Sequence, residues 1–340
     1  MLLPSLRGIE FVCPLCRGPL SSLEDGYACP VCSKTYLLHA GIPDFRVFPD
    51  PYLDYDADRE RTEIVLSALE KLDLAQLLAH YWSFSDITPV DLRPKYIRSA
   101  MLGREKAKHT LDMLKTGAFT TPSAARTVLE IGSGTGAFLA VASDHYEQVI
   151  GVDIAMRWLH LSRRRFMDEG RPVPPLVCCC AEYLPFADNS FDLVVAASTI
   201  EFVRDQSKAL SECARALKPD GAMYINSVNR YSIARDPYAY LWGVGFLPRR
   251  LQARYVRWRR GASYENVRTL SYFELKRAAR AHFAANEFGL PDVPSSVLRE
   301  FSAMTRFQVH VYRFFKRLPV FSLLLKWLGP GWDGVLRKSS

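Results

Sequence analysis

The sequence predicts an α/β domain preceded by a small metal-binding unit. The α/β domain is indicated by a short apolar strand that runs into a glycine-rich turn and a helix-like stretch, over residues 127–143. A second strand follows and ends in an acid, Asp153. The metal-binding unit is indicated by two Cys-x-x-Cys pairs near the amino terminus. A chain of 340 residues is long enough to hold both units.

The composition is that of a globular protein with a sizeable core. Hydrophobic residues make up 49% of the chain and charged residues 24%, which excludes bulk disorder. No apolar run approaches the roughly 18 residues that are needed to span a bilayer, and the stretch from Met1 to Val12 lacks the pattern of an export signal. We therefore expect a cytoplasmic protein.

Four cysteines near the start have the spacing of a zinc site. Cys13 and Cys16 form one pair, Cys29 and Cys32 form the second, and twelve residues separate the pairs. This spacing allows two knuckle turns to fold together and to place four thiolates around one ion. Because sulfur would fill all four positions, we expect a structural rather than a catalytic zinc. Reduced cysteines in a loop, or a redox-active pair, are the alternatives.

Residues 49–121 are predicted to form a helical linker or cap between the two units. The apolar residues of this stretch form a partly periodic stripe, which is typical of amphipathic helices and consists of Ile64, Leu66, Leu69, Leu72 and Leu77. The stripe indicates packing against the main domain.

The glycine turn Gly132-Ser-Gly134-Thr-Gly136 is a candidate binding site for a nucleotide-like cofactor. Glycine suits a position at which the backbone passes close to a ligand, because any Cβ would occupy the same space. The helix that follows offers free N–H groups to an anionic group. Asp153, about twenty residues further on, is placed to accept hydrogen bonds from ribose hydroxyls. A dinucleotide site remains open at this point, because Gly132, Gly134 and Ala137 also satisfy G-x-G-x-x-A.

Two segments further along the chain discriminate between these cofactors. The first, A-E-Y-L-P-F-A-D-N-S-F-D over residues 181–192, resembles the A-E-x-L-P-F-x-D-x-S-F-D segment of the type 11 group of class I S-adenosylmethionine-dependent methyltransferases. The second, R-A-L-K-P-D-G over residues 215–221, resembles their R-x-L-K-P-G-G, with Asp220 in place of the first glycine. Together with E-x-G-x-G-x-G and Asp153, these segments stand in the family's order across residues 126–228.

The resemblance implies a Rossmann-like, seven-stranded and mostly parallel sheet with helices on both faces, and S-adenosylmethionine as the cofactor. The three glycines of the turn would wrap the methionine portion, Asp153 would hold the ribose, and Ala181 and Glu182 would border the adenine. Glu130 would orient the turn. The cofactor-site residues implied in this way are Glu130, Gly132, Ser133, Gly134, Gly136, Asp153, Ile154, Ala181, Glu182 and Ala197.

The amino-terminal unit fits the same resemblance. Its G-I-P-D-F ending over residues 41–45 is similar to that of the small zinc-ribbon domains that are fused to, or partnered with, RNA and other methyltransferases. In the resembling enzymes, helices such as those expected over residues 49–121 often lie over the cofactor cleft. The implied division of the chain is a zinc ribbon over residues 1–48, a helical linker or cap over residues 49–121, and a methyltransferase domain over residues 122–340.

Methyl transfer from a sulfonium requires alignment of the acceptor and exclusion of water rather than a covalent nucleophile. A hydroxyl or weakly acidic carbon acceptor would additionally require a base. Glu201, Asp205 and His160 are weak candidates for that base, because they are expected near the carboxyl ends of the strands. Roles as a helix cap, a surface residue or a packed helix residue are the alternatives.

Three consecutive cysteines, Cys178, Cys179 and Cys180, fall on the expected third strand. Neighbouring strand residues point to opposite faces, so the three thiols cannot all reach one metal ion. We therefore interpret them as small buried side chains.

The acceptor side is expected beyond the fifth strand, Ala222 to Val228, in a helical insertion over about residues 229–330. Residues 249–280 contain ten Arg or Lys residues but only two acidic residues, and aromatic residues alternate with the arginines of residues 249–260. Such a surface favours stacked bases or an anionic lipid headgroup layer, and a solvated basic face is the alternative. Ser271 and Glu274 form a capping-box signature within this stretch.

Residues 311–328 combine apolar and basic side chains in a pattern too interrupted to span a membrane. The pattern matches an interfacial helix, and a buried helix inserted before the last strand is the alternative.

Our leading functional hypothesis is a methyltransferase for a small-molecule or lipid-linked acceptor, working at the inner face of a membrane through residues 249–260 and 311–328. The alternative is an RNA methyltransferase that uses the zinc ribbon and the arginine patch to bind RNA, as in the rRNA guanine enzymes with amino-terminal zinc sites. A non-catalytic scaffold with the cofactor fold is a third possibility, and the intact glycines and Asp153 argue against it.

Overall fold

The structure is a computed structural model that describes residues 6, 8–84, 88–116 and 125–338. These residues form a four-stranded sheet, a seven-stranded sheet and helices around them. In chain order, the strands and α-helices are β1 (Ser21–Leu23), β2 (Gly26–Ala28), β3 (Thr35–His39), β4 (Ile42–Pro43), α1 (Tyr55–Leu69), α2 (Leu74–Ser83), α3 (Arg93–Met101), α4 (Gly103–Thr116), β5 (Thr127–Ile131), α5 (Ala137–Ala142), β6 (Gln148–Asp153), α6 (Met156–Asp168), β7 (Leu176–Cys178), β8 (Phe191–Ala197), α7 (Gln206–Ala216), β9 (Leu217–Val228), α8 (Arg249–Arg260), α9 (Tyr272–Arg280), β10 (Ala285–Gly289), α10 (Ser295–Arg299), α11 (Ala303–Lys316), α12 (Pro319–Leu328) and β11 (Gly331–Arg337).

The seven-stranded sheet has the order β10-β11-β9-β8-β5-β6-β7. Strands β5 to β9 are mutually parallel, whereas β11 runs antiparallel to both of its neighbours. The central strands β5 and β8 are apolar runs because both of their faces are buried beneath other elements. The expected seven-stranded, mostly parallel α/β fold is confirmed.

Helices cover both faces of this sheet, as expected. On one face, α4, α5 and α6 pack against β5, β6 and β8. On the other face, α7 and α9 share the core, and they are joined there by side chains of the amino-terminal unit.

The small sheet, β1 to β4, is docked onto the edge and one face of the large sheet. The backbone N–H of Phe45 donates to the carbonyl of Cys178 on the edge strand β7, at 2.7 Å, and the N–H of Val12 donates to the carbonyl of Pro185, at 3.1 Å. The Phe45 ring is fully buried between the rings of Phe11, Tyr27 and Tyr36. The ribbon and the large sheet therefore have one continuous hydrophobic core.

The expected helices of residues 49–121 are present in the described part of that range as α1 to α4. Helices α1 and α2 pack on α6 through a buried cluster made of Val65, Ala68, Leu69, Leu74, Leu77, Leu78, Tyr81, Trp82 and Leu161. Of the predicted stripe, Leu69 and Leu77 are buried, while Ile64 and Leu66 are only half-buried because the buried face is turned toward Val65 and Ala68. Asp73 and Gln76 form a reciprocal capping box that starts α2.

Cys178 ends β7, and Cys179 and Cys180 follow it. All three side chains are buried, which confirms their interpretation as small core residues. The capping box of Ser271 and Glu274 at the start of α9 is also confirmed.

Strand β9 begins at Leu217, five residues before the start expected at Ala222. The expected insertion of residues 229–330 also contains β10, which pairs with β11 and so belongs to the large sheet. Helix α8 precedes that strand, and helices α11 and α12 follow it.

Residues 311–328 belong to two helices, α11 and α12, which meet at Leu318-Pro319. Neither helix has a buried residue, so the buried-helix alternative is wrong. In the part of the chain that the structure describes, no helix is long and apolar enough to cross a membrane. The boundary expected at residues 121 and 122 lies outside the described residues, and the division into three units stays a prediction.

Candidate active site

A cavity of about 590 Å³ lies at the carboxyl ends of β5, β6 and β8. Its walls come from the turns after these strands, from α2 and α3 of the cap, from the start of α6, and from the segment after β9. In open α/β sheets, ligands bind at this edge of the sheet.

The glycine turn after β5 forms the floor of the cavity. Gly132 and Gly136 have φ angles of 69° and 70°, a region that glycine adopts without a steric penalty. A Cβ on Gly132 would lie 2.5 Å from the Thr199 side chain, and a Cβ on Gly136 would lie 2.1 Å from Oγ of Ser162. Gly132 therefore allows the turn to approach the segment after β8, while Gly136 allows α5 to start against α6.

Asp153 ends β6 beside this turn. Its Oδ2 atom accepts a hydrogen bond from the N–H of Gly134, and its Oδ1 atom accepts one from the N–H of Ala155, each at 2.9 Å. Burial raises the pKa of Asp153 to about 6, and the charge of Asp50 acts in the same direction, whereas the two backbone N–H groups oppose the rise. Each carboxylate oxygen keeps a lone pair, so Asp153 can also accept hydrogen bonds from a ligand in the cavity.

Six of the ten expected cofactor-site residues line the cavity: Gly132, Gly134, Asp153, Ile154, Ala181 and Glu182. Oε1 of Glu182 accepts hydrogen bonds from the N–H groups of Arg204, at 2.7 Å, and Asp205, at 3.1 Å. Glu182 therefore fixes the segment after β8 as part of the cavity wall.

The other four expected residues, Glu130, Ser133, Gly136 and Ala197, do not line the cavity. Glu130 is buried in β5, and burial raises the pKa of its carboxyl well above the ordinary value, while a backbone hydrogen bond with Leu139 opposes that rise. This contact ties the end of β5 to the first turn of α5. The expected role of Glu130 in orienting the turn stays a prediction.

The four amino-terminal cysteines converge. Their Sγ atoms all lie within 4.8 Å of one another, and Sγ of Cys13 is 3.2 Å from the Tyr36 hydroxyl. Four sulfurs at such separations fit one tetrahedral zinc ion, and the tyrosine supplies the kind of outer hydrogen bond that orients a metal ligand. The cluster leaves no position for substrate.

Residues 129–225 match the family model described as a methyltransferase domain. The match begins in β5, ends in β9, and includes the glycine turn, Asp153 and the segment that contains Ala181 and Glu182. Residues 129–225 therefore carry the sequence pattern of a methyltransferase domain.

Curated relatives resemble this domain over part of their length. The chain is 31% identical over 134 residues to a ubiquinone biosynthesis O-methyltransferase of Idiomarina loihiensis, covering 38% of this chain and 54% of that protein. It is 38% identical over 121 residues to a ubiquinone/menaquinone biosynthesis C-methyltransferase of Paraburkholderia phytofirmans, covering 34% of this chain and 48% of that protein. The chain thus spans about half the length of these relatives.

A solved structure from Thermotoga maritima, described as an S-adenosylmethionine-dependent methyltransferase and possible histamine N-methyltransferase, aligns with a TM-score of 0.44 at 24% identity. The alignment covers 73% of this chain and 97% of that one.

The three weak catalytic candidates do not line the cavity of the methyltransferase domain. His160 is fully buried on α6 with its ring 5.8 Å from that of His39, and burial lowers its pKa to about 3. Asp205 accepts a hydrogen bond from the N–H of Lys208 and caps α7. Glu201 is fully buried, and its Oε1 atom accepts a hydrogen bond from the N–H of Val228 at 2.6 Å. None of the three is positioned to contact a ligand in the cavity.

A different acid–phenol pair adjoins the cavity of the methyltransferase domain. Tyr264 lines it, and its hydroxyl donates to Oδ2 of Asp236 at 2.6 Å. Burial raises the pKa of Asp236, and three hydrogen bonds oppose that rise. Burial also raises the pKa of Tyr264. Tyr264 can accept a proton from a ligand hydroxyl while it passes its own proton to Asp236. Sequence reasoning missed this pair because the two residues lie in separate irregular stretches, one before α8 and one after it, and neither stretch matches a motif.

Aromatic side chains make up much of the remaining wall. They come from the linker, the cap, α6 and the segments after β8 and β9, and they include Phe48, Tyr52, Tyr81, Trp82, Tyr96, Trp158, Phe202 and Tyr238. Helices α2 and α3 therefore line the cavity, and α2 also packs on α6. The individual residues carried no motif that would have identified them.

A buried network of charges connects the ribbon to this wall. The guanidinium of Arg157 bonds to Oδ2 of Asp50, at 2.9 Å, and also to Asp58 on α1. Asp58 in turn bonds to Arg46, at 2.6 Å, and Arg46 bonds to Asp44 at the end of the ribbon, also at 2.6 Å. Buried charges of this kind require their partners, because an unpaired one is strongly destabilising.

Proposed function

We propose that the chain is an S-adenosylmethionine-dependent methyltransferase that acts on a small or lipid-linked acceptor at the surface of an anionic membrane. The observation that carries this proposal is an exposed apolar and basic helical pair, α11 and α12, at the same edge of the sheet as the cavity of the methyltransferase domain.

The cofactor half of the proposal is supported by the glycine turn and by Asp153. Gly132 and Gly134 of the turn line the cavity, and the carboxylate of Asp153 retains lone pairs for the hydroxyls of a ribose. The family match covers both features. A bound S-adenosylmethionine would supply an activated methyl group, and the protein's part is to hold it in line with the acceptor and to exclude water.

The acceptor half is supported by the aromatic wall of the cavity. Aromatic rings favour an apolar or ring-shaped ligand over a strongly hydrated one. The two curated relatives are named for ubiquinone and menaquinone biosynthesis, and one is named an O-methyltransferase and the other a C-methyltransferase. An apolar acceptor with a hydroxyl group agrees with this wall and with the proton-accepting pair of Tyr264 and Asp236.

Helices α11 and α12 have the chemistry of an interfacial element. Large apolar side chains point outward on both helices, and the exposed fractions are 65% for Phe307, 61% for Phe314 and 72% for Val320. The stretch 301–332 contains Arg306, Arg313, Lys316, Arg317 and Lys326 and no acid. Apolar side chains among cations suit insertion at the boundary between anionic headgroups and acyl chains.

The carboxyl end of α12 lies at the same edge of the large sheet as the cavity. Gly331, which follows α12, pairs with Val228 at the carboxyl end of β9. The side chain of Asn229 donates to the carbonyls of Trp327, at 2.7 Å, and Gly329, at 2.9 Å. The end of α12 is therefore anchored at the edge of the sheet where the cavity lies, so a membrane-bound acceptor would not have to cross the protein to reach it.

Helix α8 carries further exposed basic side chains. Arg250, Arg254 and Arg259 are exposed, and Trp258 is exposed between them. Arg249 and Arg257, by contrast, pair with Glu274 and Glu265 within the protein. The exposed part of α8 supports contact with an anionic surface, for which a lipid headgroup layer and an RNA backbone are the two candidates.

Vesicle co-sedimentation tests the membrane part. The wild-type protein should sediment with phosphatidylcholine vesicles that contain phosphatidylglycerol, and less with phosphatidylcholine alone. Val320→Glu should weaken this binding at least tenfold, because it removes about 1.5 kcal/mol of apolar burial and adds a repulsive charge worth about 1 kcal/mol.

The matched control is Val90→Glu, the same change at a site in the cap that is 71% exposed, compared with 72% for Val320. The control should bind vesicles as the wild type does. Added salt should weaken the wild-type interaction without abolishing it, because salt screens the charges but not the apolar insertion.

Equal binding by wild type, Val320→Glu and Val90→Glu would contradict the role of α12. Steeply salt-dependent binding to structured RNA, with no vesicle binding, would favour the RNA alternative instead. Incubation with radiolabelled S-adenosylmethionine and fractionated cell extract then identifies the acceptor, and we expect the label in the lipid or small-molecule fraction rather than in RNA.

A further inference from the structure

We propose that the linker directly after the ribbon, residues 48–52, completes the adenosine half of the cofactor site, and that Asp50 is a second carboxylate that binds the ribose. This inference rests on the proposed function, because the ligand is its cofactor. Asp50 lies outside residues 129–225, the range covered by the family match.

The linker forms a wall of the cavity. Phe48, Asp50, Pro51 and Tyr52 all line it, on the side where Ile154, Ala181 and Glu182 also contribute. Cys180, which follows β7, contacts the carbonyl of Phe48 at 3.5 Å, so the segment after β7 adjoins the linker in the cavity wall. A ligand that contacts Asp153 and Ala181 would lie against the linker as well.

The carboxylate of Asp50 is held firmly and still has acceptor capacity. Its Oδ1 atom accepts a hydrogen bond from the N–H of Tyr52 at 2.6 Å, and its Oδ2 atom bonds to Arg157 at 2.9 Å. The residue is only 5% exposed, which limits competition from water. As with Asp153, each oxygen has a second lone pair that a ligand hydroxyl can use.

Asp50 and Asp153 lie close enough to influence each other. The charge of Asp50 adds to the rise that burial causes in the pKa of Asp153, while the Arg157 guanidinium acts in the opposite direction. Both residues line the cavity, where hydroxyl groups of a ligand would offer hydrogen-bond donors to them. A ribose carries two neighbouring hydroxyls and so has one donor for each carboxylate.

Several contacts within the protein hold the linker in place. Arg204 donates to the carbonyl of Pro49 at 2.9 Å and stacks over the Phe48 ring at 4.1 Å. The side-chain amide of Asn266 donates to the carbonyl of Pro51 at 2.6 Å. Together with the bond between Arg157 and Asp50, these contacts hold the linker from several sides, so little ordering entropy remains to be lost on binding.

Calorimetry with S-adenosylhomocysteine and its 2′-deoxy and 3′-deoxy analogues tests the role of Asp50. Asp50→Asn should weaken S-adenosylhomocysteine about tenfold, because it removes the charge from one hydrogen-bond acceptor. For at least one deoxy analogue, the same substitution should reduce the binding affinity less than threefold, because the hydroxyl that Asp50 binds is already missing from that analogue.

Asp44→Asn is the matched control. It makes the same chemical change in the same ion network, but Asp44 does not line this cavity, so binding should stay within twofold of the wild type. Asp50→Glu is a second variant, which keeps the charge beside Arg157 and covers the case in which Asp50→Asn does not fold. It should also bind S-adenosylhomocysteine more weakly and show the same dependence on the hydroxyl.

Each outcome has a definite meaning. An equal loss of affinity for all three ligands would show that Asp50 affects binding only by supporting the structure. Unchanged affinity in both Asp50 variants would show that Asp50 has no part in binding. Either result overturns the inference and leaves the proposed function standing. A folded wild type that does not bind S-adenosylhomocysteine would overturn both.

Discussion

The protonation of Asp153 should control the affinity for the cofactor near neutral pH. The side chain has an ordinary pKa of 3.8, and burial raises it to about 6, with a further contribution from Asp50. Protonation turns one carboxylate oxygen into a hydroxyl, which is a weaker acceptor and carries a donor of its own, so the neutral acid should bind ribose hydroxyls less well. Binding should therefore favour the deprotonated form, and affinity should fall as the pH drops through about 6.

The size of the effect follows from the pKa. If the charged form alone binds, the dissociation constant rises by a factor of 1 plus the ratio of protonated to charged Asp153. That factor is close to one at about pH 8 and reaches about tenfold at about pH 5. The loss at the lower pH corresponds to about 1.4 kcal/mol of binding free energy.

Calorimetric titration with S-adenosylhomocysteine at several pH values measures this dependence. Asp153→Asn should bind more weakly at about pH 8 and should lose the pH dependence, because the group that titrates is gone. This comparison matters because Glu130 is also buried and also has a raised pKa. A flat profile in the wild type would refute the reasoning, and a tenfold loss that persists in Asp153→Asn would assign the titration to another group.

Two further predictions concern the metal and the backbone. The protein purified without chelator should carry one zinc per chain, and the double variant Cys13→Ala/Cys29→Ala should lose it, as elemental analysis can check. In scanning calorimetry this variant should melt at a lower temperature and in a single transition, because the ribbon shares the main core. Metal retained by the variant, or two separate transitions, would contradict the prediction. Asp220 is exposed and has a φ of 63°, a region that is strained for residues other than glycine. Asp220→Gly should therefore raise the free energy of unfolding, measured by urea titration, by about 1 kcal/mol. An unchanged or lower free energy of unfolding would count against strain at this turn.

The sequence predicts the large sheet well because its signals are local. The strand that ends at Ile131, the glycine turn and Asp153 lie within one short stretch, and their spacing reflects a single strand, turn and helix unit. Asp220 is a further example, since the resembling family has glycine there and the structure has a positive φ. Such features depend on backbone geometry that neighbouring residues determine.

The rest of the site depends on contacts between distant segments. Asp50 and Arg157 are 107 positions apart, and the Tyr264 hydroxyl bonds to a residue 28 positions away. Neither contact follows from periodicity or from a motif. The same limit explains the base candidates, because Glu201 was expected near the carboxyl ends of the strands and does lie there, but its carboxylate points to the backbone of β9.

The helical tail illustrates a different limit. Composition indicated an apolar and basic segment but did not tell whether its apolar side chains are packed inside or face outward. That outcome depends on how much sheet surface other helices already cover. Because α4, α5, α6, α7 and α9 occupy both faces, α11 and α12 remain outside.

The docking of the ribbon against β7 protects an edge of the large sheet. Strand β7 is the last strand of the large sheet, and the backbone of residues 44–45 covers its outer edge. An uncovered edge strand offers unpaired N–H and C=O groups to any other extended chain. A molecule without its metal would expose this edge together with the aromatic residues around Phe45. If the four cysteines hold zinc, we therefore expect a metal-free molecule to aggregate through this edge.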